Sequence, residues 1–138
     1  MAVTHTLHDA YSFIKSLQHR GREACGIAAI GSIIDVIKWT GGVGKVDLVD
    51  LYKILPAQNY KMFLAHVRYA TQGREDRILE DSHPHVIGGE TINKEDHIII
   101  KNCDAVIVHN GQIDVNKVFG FDDGECDTKK ILKEYWEN

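Results

Sequence analysis

Arg68 stands near the end of an apolar run over 62–69, where a guanidinium gives either a planar two-pronged donor for a carboxylate or an ordinary surface ion pair. Thr71, three residues on, adds a hydroxyl donor. Asn110-Gly111 follows directly on a second apolar run, 105–109. A side-chain amide next to a glycine N–H can supply two donors to a developing negative charge, and the same dipeptide is also a common hairpin turn. Asp127 heads a helical pattern and reads as a carboxylate for a cation or as a helix cap. His83-Pro84-His85 on a strand would put two imidazoles on one face, with His66 or His109 completing a three-nitrogen metal site. Off a strand it is a loop with solvent-exposed or locally bonded histidines, the commoner outcome. His19, close to a strand-helix junction, reads as structural. Cys25, Cys103 and Cys126 have no C-x-x-C spacing, so unbridged thiols are expected, and Cys25 reads as a small buried residue. Gly41-Gly42-Val43-Gly44-Lys45 is followed by Val46 where a phosphate loop needs Ser or Thr, so it is read as a loop.

These residues need elements to hold them. Leu7, Ala10, Tyr11, Ile14 and Leu17 recur at helical spacing, with Thr4 or Thr6 as N-cap and Gly21 as the stop. Segments 26–30 and 33–39, joined through Gly31-Ser32, predict a β-hairpin. A short helix over 48–55 is stopped by Pro56. Strands are expected over 62–69, 97–101 and 105–109, and a last helix over 127–136, with Ile131, Leu132, Tyr135 and Trp136 on one side behind Asp127 or Thr128. The 138 residues make one mixed α and β domain, able to bury roughly 70% of the surface of the unfolded chain. With 43% hydrophobic and 26% charged residues, the bulk is expected to fold. Sixteen basic against twenty acidic residues, net charge −4, argue against a nucleic-acid partner. The longest apolar run, 27–37, is interrupted by Gly31, Ser32 and Asp35 and falls short of the ~20 residues of a membrane span. No signal-peptide pattern opens the chain, so no membrane partner and a cytoplasmic location are expected.

Four strings, in order, carry a resemblance: Leu17-Gln18-His19-Arg20-Gly21, Ala65-His66-Val67-Arg68-Tyr69-Ala70-Thr71, His109-Asn110-Gly111, and Asp127-Thr128 heading a helix. Together they resemble the glutaminase domain of class II glutamine amidotransferases over about residues 7–135. Within that family they are most similar to amidophosphoribosyltransferase. Ser82-His83-Pro84-His85 and Val106-Ile107-Val108-His109-Asn110-Gly111 look more like glucosamine-6-phosphate synthase. The resemblance implies an α+β fold of the N-terminal nucleophile hydrolase type, a four-layer αββα sandwich with two sheets packed face to face. It implies release of ammonia from glutamine for transfer, in purine biosynthesis for the amidophosphoribosyltransferase type. Residues 1–138 would be a partial glutaminase domain with no acceptor domain, neither phosphoribosyltransferase nor sugar isomerase. Arg68 would hold the α-carboxylate of glutamine with Thr71 beside it, Asp127 the α-ammonium, and the Asn110 side chain and Gly111 N–H would form the oxyanion hole. Neither cofactor nor metal is implied. Glutamine is the implied ligand, with either a homodimer or a separate acceptor subunit as partner.

One departure bears on activity. The family's nucleophile is an N-terminal cysteine opening a Cys-Gly-Ile strand. This chain opens Met1-Ala2-Val3-Thr4-His5-Thr6; removing Met1 exposes Ala2, and the first helix follows so soon that no strand is expected before it. Cys25-Gly26-Ile27 imitates the opening but follows the L-Q-H-R-G string, the wrong register for a nucleophile. The expectation is a fold lacking the nucleophile-bearing strand and inactive as written, belonging to a longer reading frame rather than to a diverged module that binds without hydrolysing. A sheet edge or apolar groove left by that strand is expected. A non-catalytic metal- or ligand-binding module is the reading from another class.

Overall fold

A computed structural model describes residues 1–17, 23–40, 46–69, 82–95 and 97–108, with Glu23, Arg68 and Tyr69 described by backbone alone. The apolar hairpin forms as its composition requires, from β2 (Glu23–Gly31) and β3 (Ile34–Thr40). Strand β4 (Tyr60–Tyr69) pairs with the outer side of β2, and the three-residue β1 (Ala2–Thr4) pairs with β4. On the other flank β6 (His97–Ile107) pairs with β3, and β5 (His85–Asn93) with β6. The result is one six-stranded antiparallel sheet in the order β1-β4-β2-β3-β6-β5.

Register sorts the side chains between the two faces. Ala65, Ile27, Ile37 and Ile99 lie side by side across four strands, and strand alternation puts the adjacent row, Leu64, Ala28, Val36 and Ile100, on the opposite face. The first face carries both described helices, α1 (Leu7–Ser16) and α2 (Leu48–Ile54). Their apolar stripes insert Leu7, Ala10, Ile14, Leu51 and Leu55, all with 0% exposure, against Ile27, Ile37, Trp39, Phe63 and Ala65. A fully buried Leu or Ile contributes ~1.5–3 kcal/mol, so the helices are held chiefly by the sheet. Their starts are fixed locally: Thr6 Oγ1 accepts from the Asp9 N–H at 3.1 Å, and Asp47 Oδ1 from the Asp50 N–H at 2.8 Å. On the second face Ala28, Val36, Ile100 and Cys103 are buried, with Leu64, Val86, Ile98 and Val106 half-buried around them.

Asp35, 2% exposed, ties several of these elements together. Its carboxylate accepts from the Tyr60 hydroxyl and, at 2.9 Å, from the Asn102 N–H, while Lys101 Nζ stands 3.7 Å away. Lys101 Nζ also donates to Ile54 O at 2.8 Å, capping the end of α2. Asn102 has φ +57°, a left-handed conformation that Asn accepts more readily than most residues. These contacts fix the middle of β6.

Several expectations are corrected. The run 97–101 and residues 105–107 of the second run belong to one strand, β6, because the Asp35 bond carries its backbone through the polar Lys101-Asn102 stretch. The described strand residues of the four segments expected to build two packed sheets all lie in one sheet. Strand β5 was not expected. A short strand does precede α1, since Ala2, Val3 and Thr4 find partners in Ala65, Leu64 and Phe63. The helix expected over 127–136 lies outside the described residues. Among the described residues, no helix is long and apolar enough to cross a membrane.

Candidate functional site

Gly26 lies at the centre of a row across three strands, paired with His66 of β4 on one side and Lys38 of β3 on the other. Strand alternation puts this row on the face away from the helices. Residues 82–84 pass over it: a Cβ at Gly26 would collide with the main-chain oxygen of His83, so this crossing requires glycine. The strap is secured on both flanks. Lys38 Nζ donates to the Ser82 carbonyl at 2.8 Å, and the His66 and His83 rings stack with centroids 4.2 Å apart and planes 14° apart. His85 follows at the start of β5, its ring 4.7 Å from that of His83 and tilted by 56°.

All four side chains are buried: Lys38 at 4%, His66 at 7%, His83 at 9% and His85 at 2% exposure. Desolvating an ammonium costs several kcal/mol unless it is hydrogen-bonded, which the Ser82 carbonyl provides. Of the two outcomes expected for the histidines of this loop, solvent exposure or local bonding, exposure is excluded by their burial: His83 stacks on His66 of β4, and His85, at the start of β5, packs against His83. The juxtaposition of His66, His83 and His85 anticipated for a metal site does occur, but as ring-on-ring packing. Among the described residues, no group of three or more His, Cys, Asp or Glu is arranged to hold a metal ion. His109 lies outside them.

Position 68 is next along the same face of β4. Its backbone pairs with Ala24, itself paired with Thr40, so the row 68-24-40 runs beside the row His66-Gly26-Lys38 under the strap. Of the residues singled out for glutamine chemistry, Arg68 is the one whose backbone is described. Thr71, Asn110, Gly111 and Asp127 lie outside the described residues, as does His19. Cys25 has 0% exposure and faces the helices, in keeping with a packing role. Cys103 is also buried, and its thiol is pushed up to about 11, by burial first and then by Asp35 and Asp104. A thiol so perturbed is a poor nucleophile at neutral pH.

Lys38 escaped the sequence reading, as did the contacts made by Gly26 and Ser82, which it noted only within motif strings. The available signal was a lysine inside the apolar run 33–39, on the same face as Val36, where an unpaired ammonium would be too costly.

Comparison with known proteins adds two relatives. The chain is 31% identical over 103 residues to glutamine–fructose-6-phosphate aminotransferase (isomerizing) of Methanosarcina mazei, a match covering 73% of the chain and 14% of that relative. It is 37% identical over 78 residues to amidophosphoribosyltransferase of Archaeoglobus fulgidus, covering 56% of the chain and 16% of the relative. The chain thus matches only a small part of the length of each. No family model and no solved structure matches it. These similarities agree with the resemblance carried by the four strings, at low identity and over part of each relative.

Proposed function

We propose that this chain is a glutaminase-type domain of the class II glutamine amidotransferase family, and that its ligand is free glutamine. The observation that carries the reading is the combination of the string 65–71 at the end of β4 with similarity to two relatives whose names denote glutamine-dependent amino transfer and amidophosphoribosyl transfer. Arg68 forks onto the α-carboxylate, Thr71 adds a hydroxyl donor, and Asp127 pairs with the α-ammonium. Opposite charges at 68 and 127 suit a zwitterion. When the side-chain amide carbon is attacked, its oxygen becomes an oxyanion, and the Asn110 side-chain N–H and Gly111 backbone N–H donate to it. The ammonia released goes to an acceptor supplied by a further domain or subunit, in a soluble, cytoplasmic setting.

The acceptor chemistry proposed is of the amidophosphoribosyltransferase type, within purine biosynthesis. A second reading, a glutaminase domain of the sugar aminotransferase type, is supported by the longer match of 103 residues and by the Ser82-His83-Pro84-His85 string. Both readings share the glutamine site. Calorimetric titration of the protein with L-glutamine tests it. Millimolar affinity, on the order of −4 kcal/mol, is expected, and Arg68→Ala should weaken it roughly ten to a hundredfold through loss of a charge-assisted pair. Absence of heat with L-glutamine, or equal affinity in Arg68→Ala, would refute the reading.

A further inference from the structure

We propose that Lys38 is a positioning residue: by donating to the Ser82 carbonyl, its ammonium holds the 82–85 strap across Gly26 and keeps the His66–His83 stack beside position 68. The proposal rests on the glutamine reading of position 68. At 4% exposure in an apolar strand, an aliphatic residue would avoid the desolvation that Lys38 incurs, so its ammonium answers a need for a donor. A main-chain carbonyl of the strap accepts from it. On the other flank of Gly26, ring stacking on His66 secures the same strap.

This clamp is tied to the candidate site by register. His66 and position 68 occupy successive places on one face of β4, so the stack forms a wall next to position 68.

Lys38→Met, which keeps the length and removes the donor, and Lys38→Arg, which keeps a donor, are compared with the unaltered protein. The readouts are the imidazole ring signals in NMR, the dissociation constant for L-glutamine and the urea midpoint. In Lys38→Met the His66 and His83 ring signals should leave their stacked positions and the dissociation constant should rise about tenfold or more, with Lys38→Arg restoring most of the affinity. An unchanged dissociation constant in Lys38→Met, even with a lowered urea midpoint, would overturn the proposal, since a purely structural lysine gives that pattern. So would a Lys38→Arg variant that is as weak as Lys38→Met. If Lys38→Met fails to fold, Gly26→Ala lifts the strap with Lys38 intact; weakened glutamine binding supports the proposal and unchanged binding overturns it. If the unaltered protein binds no glutamine, the functional reading fails, while the imidazole signals of Lys38→Met still judge the clamp.

Discussion

Asp35 illustrates how much one buried carboxylate can organise. Tyr60, Asn102 and Lys101 all turn toward it from outside its own strand. Asp35→Ala would leave the buried Tyr60 hydroxyl without that acceptor and remove the partner of the N–H of Asn102, an exposed residue; an unsatisfied buried donor costs about 1–3 kcal/mol. A loss of about 2 kcal/mol is expected in urea unfolding, against about 1 kcal/mol for Tyr60→Phe. Once Asp35 is gone, Tyr60→Phe should cost almost nothing more, because the two groups share one interaction. Costs that simply add in the double variant would contradict the network. At the same scale, Cys25 and Cys103 should resist alkylation at pH 8 in the folded protein and react on unfolding, since both are buried and the Cys103 thiol is raised to about 11. Rapid labelling of either folded thiol would refute this.

The elements differ in how plainly they can be read from residue order. Helix α1 was legible because its apolar side chains recur at helical spacing behind Thr6, and Thr6→Ala should cost about 1 kcal/mol in thermal or urea unfolding through loss of the cap to Asp9. The hairpin of β2 and β3 was legible from its Ile, Val and Ala content, and strand β4 from its apolar run. Strand β5 was not: its last six residues are exposed, and it carries Gly88 at φ +71° and Gly89 at φ +88° beside a register shift, so it has neither alternation nor continuous apolar character. Its strand conformation depends on pairing with β6, a tertiary effect that local sequence cannot announce. Strand β1 is too short to show a period and depends in the same way on β4. The polar Lys101-Asn102 pair masked the continuity of β6, which becomes intelligible only with Asp35 in place. For the candidate site, the string ending β4 was legible as chemistry, whereas the clamp of Lys38 on Ser82 joins residues 44 apart and left only a misplaced lysine as its trace.

For the whole molecule, the described sheet supports two helices on one face and, on the other, the 82–85 strap beside a smaller apolar cluster. Alkaline pH acts on the fold as a unit. Burial and Asp35 raise the Tyr60 hydroxyl above its ordinary value of 10.0, and burial raises Cys103 from 9.0 to about 11. Both groups keep their protons longer folded than unfolded. Their stabilising contribution is therefore complete below about pH 9 and is lost as pH rises toward and beyond 11. The urea midpoint should decline across that window, and a midpoint that held steady to pH 11 would contradict the assignment. The glutamine site is tested most directly by a crystal structure of the protein soaked with L-glutamine. The proposal predicts the α-carboxylate on the Arg68 guanidinium with Thr71 beside it, the α-ammonium at Asp127, and the side-chain amide oxygen facing the Asn110 side chain and the Gly111 N–H. Arg68 and Asp127 on opposite sides of the domain, with glutamine absent or bound elsewhere, would contradict it and leave a surface arginine and a helix-capping aspartate.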